Sequence, residues 1–167
     1  MSIWFKEFSI DDVKQLEQNN MLSHLGIELT AITENGIEGK MPVDHRTTQP
    51  MGLLHGGASC VLAESLGSIG AHLIIDHEKL YCVGLEINAN HLRSATSGFV
   101  FGIAKPIHLG KTTQVWSIEI RDEKNKLVCI SRLTMAVLNK KKNLIFLYKK
   151  ERQFLAASLL KFALAKK

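Results

Sequence analysis

Between His55 and Ser68 the chain carries a single charged residue, Glu64, in a stretch that opens on His55-Gly56-Gly57. A helix starting at that triplet leaves unpaired N–H groups at its mouth, where the helix dipole favours negative charge. A carboxylate two turns further in supplies a base or a nucleophile, and the helix mouth supplies an anion site. Those are the two requirements of acyl transfer. A structural Glu bonded to a backbone amide is the alternative that spacing alone leaves open.

The helix that must position these groups is legible in its periodicity. Ala58, Leu62, Leu66, Ile69 and Leu73 recur at three- and four-residue spacing, which puts them on one core-facing stripe. The opposite side carries Gly57, Cys60, Glu64, Gly67, Ser68 and Ala71, small residues where a surface helix would carry Lys and Glu. A helix apolar or small all round is enclosed, so the pattern predicts a desolvated Glu64. Such a carboxylate is paired, protonated or held for chemistry.

Around this helix, expected from about His55 to Ile75, the remaining signals are mostly those of strands. Ile27–Ile32 and Ile37–Val43 flank an Asn35-Gly36 turn, with Pro42 marking an edge or an end. Asp44 to Leu54 reads as a loop that delivers the chain to the helix and is expected to carry functional side chains. Further strands are predicted over Leu80–Leu92, Gly98–His108, Lys111–Arg121 and Lys126–Leu138. Ser9 and Asp12 predict a capped helix over 10–19, ended by Asn19-Asn20. The fold class is therefore α+β, an antiparallel sheet of five or six strands wrapped around one long helix. One sheet covers only part of that helix, so a second subunit is expected over the Glu64 face, making a homodimer with the site at its interface.

Composition excludes several other classes. The 167 residues fit one domain, with 46% hydrophobic and 22% charged residues. Three cysteines without a C-x-x-C pair support neither a disulfide framework nor a zinc site. Seven histidines are scattered, and His72 and His77 do not share a helix face, so no metal is expected. The net charge of +5 is lopsided: nine Lys or Arg against the one acid Glu151 lie from Asn139 onward, so the first 138 residues are net acidic. The basic balance is thus no argument for nucleic-acid binding. Lys6 and Glu7 interrupt any secretory signal, and no run of about 18 apolar residues occurs, which predicts a cytoplasmic protein.

Several segments in order carry a family resemblance. They are Met41-Pro42-Val43-Asp44-His45-Arg46-Thr47-Thr48-Gln49-Pro50, Gly52-Leu53-Leu54-His55-Gly56-Gly57, Ala63-Glu64-Ser65-Leu66-Gly67-Ser68, Val83 to His91 with Arg93, and Pro106-Ile107-His108-Leu109-Gly110. The chain resembles the hotdog-fold acyl-CoA thioesterases of the PaaI-like superfamily. Within them it is most similar to the bacterial group that holds 1,4-dihydroxy-2-naphthoyl-CoA hydrolase of menaquinone synthesis and the proofreading thioesterase of enterobactin synthesis.

The resemblance implies a dimer or a dimer of dimers with active sites at the dimer interface, acyl-CoA as substrate and no cofactor. It implies Glu64 as nucleophile or general base, acting directly or through water, and the Gly56 N–H as oxyanion donor. His55 would support the loop and the thioester end, Gln49 would align the thioester or the water, and Ser68 would position the water. His91 and Arg93 would lie near the CoA arm, where a guanidinium suits phosphate. Simpler readings stand beside these: His55 as a cap, Gln49 as a loop closure, Ser68 as a small packing residue, Arg93 as a solvated charge.

The resemblance spans about residues 2–138, so residues 1–138 are expected to form one thioesterase domain and 139–167 a basic extension. In it Leu155, Leu159 and Phe162 recur at helical spacing. Packing on its own oligomer or disorder is favoured over contact with an anionic membrane, because the apolar face is short and narrow. Two other functions share the fold: a non-catalytic acyl-CoA-binding protein, and a dehydratase on acyl-carrier-protein substrates, whose His-Phe-Pro pattern has no clear match here.

Overall fold

The computed structural model describes residues 2–140. The extension expected from residue 139 onward, with its amphipathic pattern, lies almost wholly outside them. At the start, Ser9 caps the first helix, α1 (Ile10–Lys14), and Asp12 returns the bond to the Ser9 N–H at 2.8 Å. The expected helix over 10–19 breaks early. A 3-10 turn over Gln15–Glu17 follows, and Asn19 takes a left-handed φ of 56°. Asn20 then caps an unanticipated helix, α2 (Met21–Leu25), which Gly26 ends at φ 67°. Five residues were too few to show a period, so only caps could have marked it.

Six strands follow with one long helix set among them. They are β1 (Glu28–Ile32), β2 (Ile37–Pro42), β3 (Leu80–His91), β4 (Phe99–Leu109), β5 (Thr113–Asp122) and β6 (Leu127–Asn139), with α3 (Gly56–Ile74) between β2 and β3. Every pairing is antiparallel, in the order β1-β2-β4-β5-β6-β3. Pro42 sits at the last position of β2, where its missing N–H costs the ladder least. The α+β class, the strand count and the central helix match the expectation.

The sheet curls around α3 because the helix presents its stripe to the inward positions of the strands. Leu62, Leu66 and Ala63 are fully buried against Val100, Ala104, Ile118, Ile120 and Leu133. Glycines let the helix and the sheet close up. A Cβ at Gly102 would stand 2.6 Å from Leu66, and one at Gly70 would stand 2.6 Å from the Trp116 ring. By length and mean hydropathy α3 is also the one described helix that could cross a bilayer, but ten of its residues are buried in this core.

Two features of the sheet matter for the site. Among the described residues β3 is an edge strand, paired on one side only, with β6. Its register shifts between Gly84 and Glu86, and the intervening Leu85 is 62% exposed. A bulged edge with an exposed apolar side chain is an unfinished surface.

Candidate active site

The loop from Asp44 to Leu54 is built to deliver the helix mouth. Asp44 anchors it: its backbone carbonyl accepts from Thr47 N at 3.0 Å and Thr48 N at 2.9 Å, while its carboxylate accepts from the Arg46 guanidinium at 2.6 Å. The side-chain hydrogen bonds of Arg46, then its backbone N–H, hold the Asp44 carboxyl at about 2. Thr47, 1% exposed, donates through its hydroxyl to Pro42 O at 2.7 Å and accepts His55 N on its carbonyl at 2.8 Å. The loop therefore fixes where α3 begins.

His55 caps that beginning. Its Nδ1 accepts from Gly57 N at 2.8 Å, so the neutral ring carries its proton on Nε2. The first-turn donors can be accounted for one by one. Gly57 N–H goes to the His55 ring, and Ala58 and Ser59 N–H both reach the His55 carbonyl at 3.0 and 3.2 Å. The Gly56 N–H has no partner among the described residues. An uncommitted donor at a helix N-terminus is what a developing oxyanion requires.

Gln49, Gly56, His91 and Arg93 line one cleft of about 360 Å³. The Gln49 side-chain Oε1 accepts from Met51 N at 2.6 Å, and its amide N–H groups have no partner among the described residues. His91, the last residue of β3, lays its ring over Gly56. Arg93 donates through Nη1 to Leu127 O at 2.8 Å, so its guanidinium is anchored at one nitrogen and solvent-facing elsewhere.

Glu64 and Ser68 line a different cleft, of about 590 Å³, whose other walls are largely apolar. In the single protomer Glu64 is exposed rather than desolvated, because no described element of its own chain covers the carboxylate. The Ser68 hydroxyl lies 3.8 Å from Met135 Sδ, a weak contact that turns it toward β6. The space for the carboxylate is made by a residue the sequence reading passed over. A Cβ at Gly84 of β3 would stand 3.2 Å from Glu64 Oε1.

His72 and His77 share no helix face, since α3 ends at Ile74, yet their rings stack with centroids 3.9 Å apart. The chain leaves the helix after Ile74, with Ile75 extended at ψ 158°, and doubles back. Among the described residues no group of three or more His, Cys, Asp or Glu is placed to hold a metal.

An uncommitted N–H at a helix mouth and a carboxylate beside a largely apolar cleft suit thioester hydrolysis, and the chain is similar to known thioesterases. The thioesterase superfamily model matches residues 51–129, a span that includes Gly56, Glu64 and His91. The chain is 52% identical over 136 residues to 1,4-dihydroxy-2-naphthoyl-CoA hydrolase of Escherichia coli, covering 81% of this chain and 99% of that one. It belongs to the thioesterase superfamily.

Solved thioesterases superpose closely. A crystal structure from Haemophilus influenzae, 53% identical, gives a TM-score of 0.79 over 82% of this chain and 95% of its own. A Pseudomonas aeruginosa thioesterase, solved as a Gln-to-Ala variant and 48% identical, gives 0.81 over 83% and 99%. The protein is a hotdog-fold thioester hydrolase.

Proposed function

We propose that this thioesterase hydrolyses acyl-CoA esters of aromatic or medium-size acids, 1,4-dihydroxy-2-naphthoyl-CoA among them, at a site assembled from two subunits. The observation that carries this is a separation. Glu64 lies eight residues beyond Gly56, about 12 Å along the helix axis, and the two line different clefts. One carbonyl cannot touch both within a protomer, since each contact requires about 3 Å.

A second copy resolves the separation. The unpaired edge of β3, with Val83 41% and Leu85 62% exposed, borders the Glu64 cleft. Covering that edge by a two-fold related copy would pair Glu64 of one subunit with the partner subunit's Gly56 and desolvate the carboxylate. The dimer is thus part of the chemistry.

In that site Glu64 takes a proton from water as the water oxygen attacks the thioester carbon. The carbonyl oxygen becomes an oxyanion and accepts from the Gly56 N–H; Gln49 and Ser68 orient the carbonyl and the water. Collapse breaks the C–S bond, and the proton held by Glu64 passes to the departing CoA thiolate. Direct attack by Glu64 would instead give a mixed anhydride that water then opens. The neutral His55 supports the donor loop, and His91 and Arg93 take the CoA arm, with the free guanidinium nitrogens suited to phosphate.

Thiol release from a panel of aryl and alkyl CoA esters tests the activity, with Glu64→Gln run in parallel. Turnover lost in the variant with ester affinity kept supports the reading. Tight binding of several esters without turnover by the wild type would make it an acyl-CoA-binding protein instead. Mixing the inactive variants Glu64→Gln and Gln49→Ala under subunit exchange tests the shared site: partial recovery supports it, and none contradicts it.

A further inference from the structure

The cleft beside Glu64 has polar groups about two helical turns apart on its α3 wall. Glu64, Ser65 and Ser68 stand together at the reacting part, and the apolar lining comes from Val61, Ile69, Leu22 and Met135. His72 stands on the same helix as Glu64, eight residues on. The other heteroatom there is committed, since Cys82 donates its thiol to Ala71 O at 3.6 Å. The His72 imidazole makes no hydrogen bond among the described residues, so its ring nitrogens remain available.

The imidazole is nonetheless held in place. Its face stacks on His77 at 3.9 Å, and Phe8 meets the His77 ring edge-on at 6.3 Å. Burial first, then the neighbouring His77 and Lys140, hold His72 below the ordinary histidine value. A neutral imidazole offers one donor and one acceptor, which suits a hydroxyl better than a carboxylate.

Distance then sets the kind of ligand. Eight residues of helix span about 12 Å; about 3 Å of contact between Glu64 and the reacting carbon in direct attack, and a hydrogen-bond reach of about 3 Å at His72, leave about 6 Å between the reacting carbon and the distal polar atom. That is the span from a carbonyl carbon across one benzene ring to a para oxygen. Both side chains lean the same way along the helix, so their lengths largely cancel.

We propose that His72 is a specificity residue of this thioesterase, hydrogen-bonding a hydroxyl carried on an aromatic acyl group at the end remote from the thioester. The assignment rests on acyl-CoA hydrolysis at the Glu64 cleft and adds to it which acyl groups are selected. A site that bonds a hydroxyl discriminates against the analogue that lacks it, because its own polar group is left unpaired.

The test compares kcat/KM for 4-hydroxybenzoyl-CoA and benzoyl-CoA in the wild type, His72→Phe, His72→Leu and His72→Gln, with thermal melts of each. The expected wild-type ratio is about tenfold in favour of the hydroxylated ester. It should fall toward one in the Phe and Leu variants and recover in part with Gln, which can still bond. A wild-type ratio near one, or a tenfold ratio kept by a folded Phe or Leu variant, overturns the assignment. Should both apolar variants fail to fold, His72→Gln decides: a preserved preference supports the bond, and a lost one overturns it. Failure of the parent reading looks different, since the wild type would then turn over neither ester.

Discussion

The ring of His91 occupies the space over Gly56: a Cβ added there would stand 2.7 Å from His91 Nε2. The glycine thereby brings the last residue of β3 onto the mouth of α3, beside the N–H that has no partner among the described residues. Gly56→Ala should push the His91 ring off this position and crowd the donor, lowering kcat/KM by about 10²-fold, the scale of losing one oxyanion donor. Alanine suits a helix interior better than glycine, so the melting temperature should change little. The double variant with His91→Ala removes the clash, and a double-mutant cycle that finds the two effects additive would contradict direct contact.

Gly84 plays the matching part for the carboxylate. At 3.2 Å from Glu64 Oε1, a methyl group at Gly84 forces the carboxylate aside by a few tenths of an ångström. Small misplacements of a reacting group are costly, so Gly84→Ala should lower kcat by about tenfold with KM and stability nearly unchanged. A variant with full kcat would show that the carboxylate tolerates the shift.

Asp44 links the donor loop to pH. Arg46 lowers its carboxyl to about 2 in the folded chain against 3.8 for the free group. A depressed folded value means that the unfolded chain takes up the proton first, so the stabilisation is complete above about pH 4 and is lost as pH falls through about 2. Asp44→Asn should melt below the wild type at neutral pH, with the gap closing between pH 4 and pH 2. A gap independent of pH would point to lost packing rather than a lost charge.

Trp116 tests the core that carries α3. It is fully buried, stacks on Trp4 with centroids 6.5 Å apart, lies against Gly70 and donates its indole N–H to Gln114 Oε1 at 3.0 Å. Trp116→Ala should cost about 3–5 kcal/mol in a urea titration, since it opens a cavity and orphans a buried amide oxygen. A loss under about 1 kcal/mol, the scale of an ordinary substitution, would mean that Trp4 fills the space.

Much of the protein was written locally. The stripe Ala58-Leu62-Leu66-Ile69-Leu73, the Asn35-Gly36 turn, the strand alternation and the Ser9–Asp12 box depend on residues within a turn or a hairpin of each other, so period and cap chemistry sufficed. The same locality placed Glu64 and Ser68 on one helix face and His55 at its start. The sequence also foresaw that one sheet would cover only part of that helix, and the exposed Glu64 of the protomer fits this.

What the sequence could not set is every relationship closed by the long range of the sheet. Gly84 faces Glu64, His91 covers Gly56, Trp116 meets Gly70 and His72 stacks on His77 because β3, β5 and the chain after α3 return to the helix from far along the chain or against its period. Those approaches depend on strand order, on the shift at Leu85 and on the reversal after Ile74, none of which has a local sequence signal. The sequence supplied the candidate groups; the tertiary fold alone decided that the carboxylate and the helix-mouth N–H open into separate clefts.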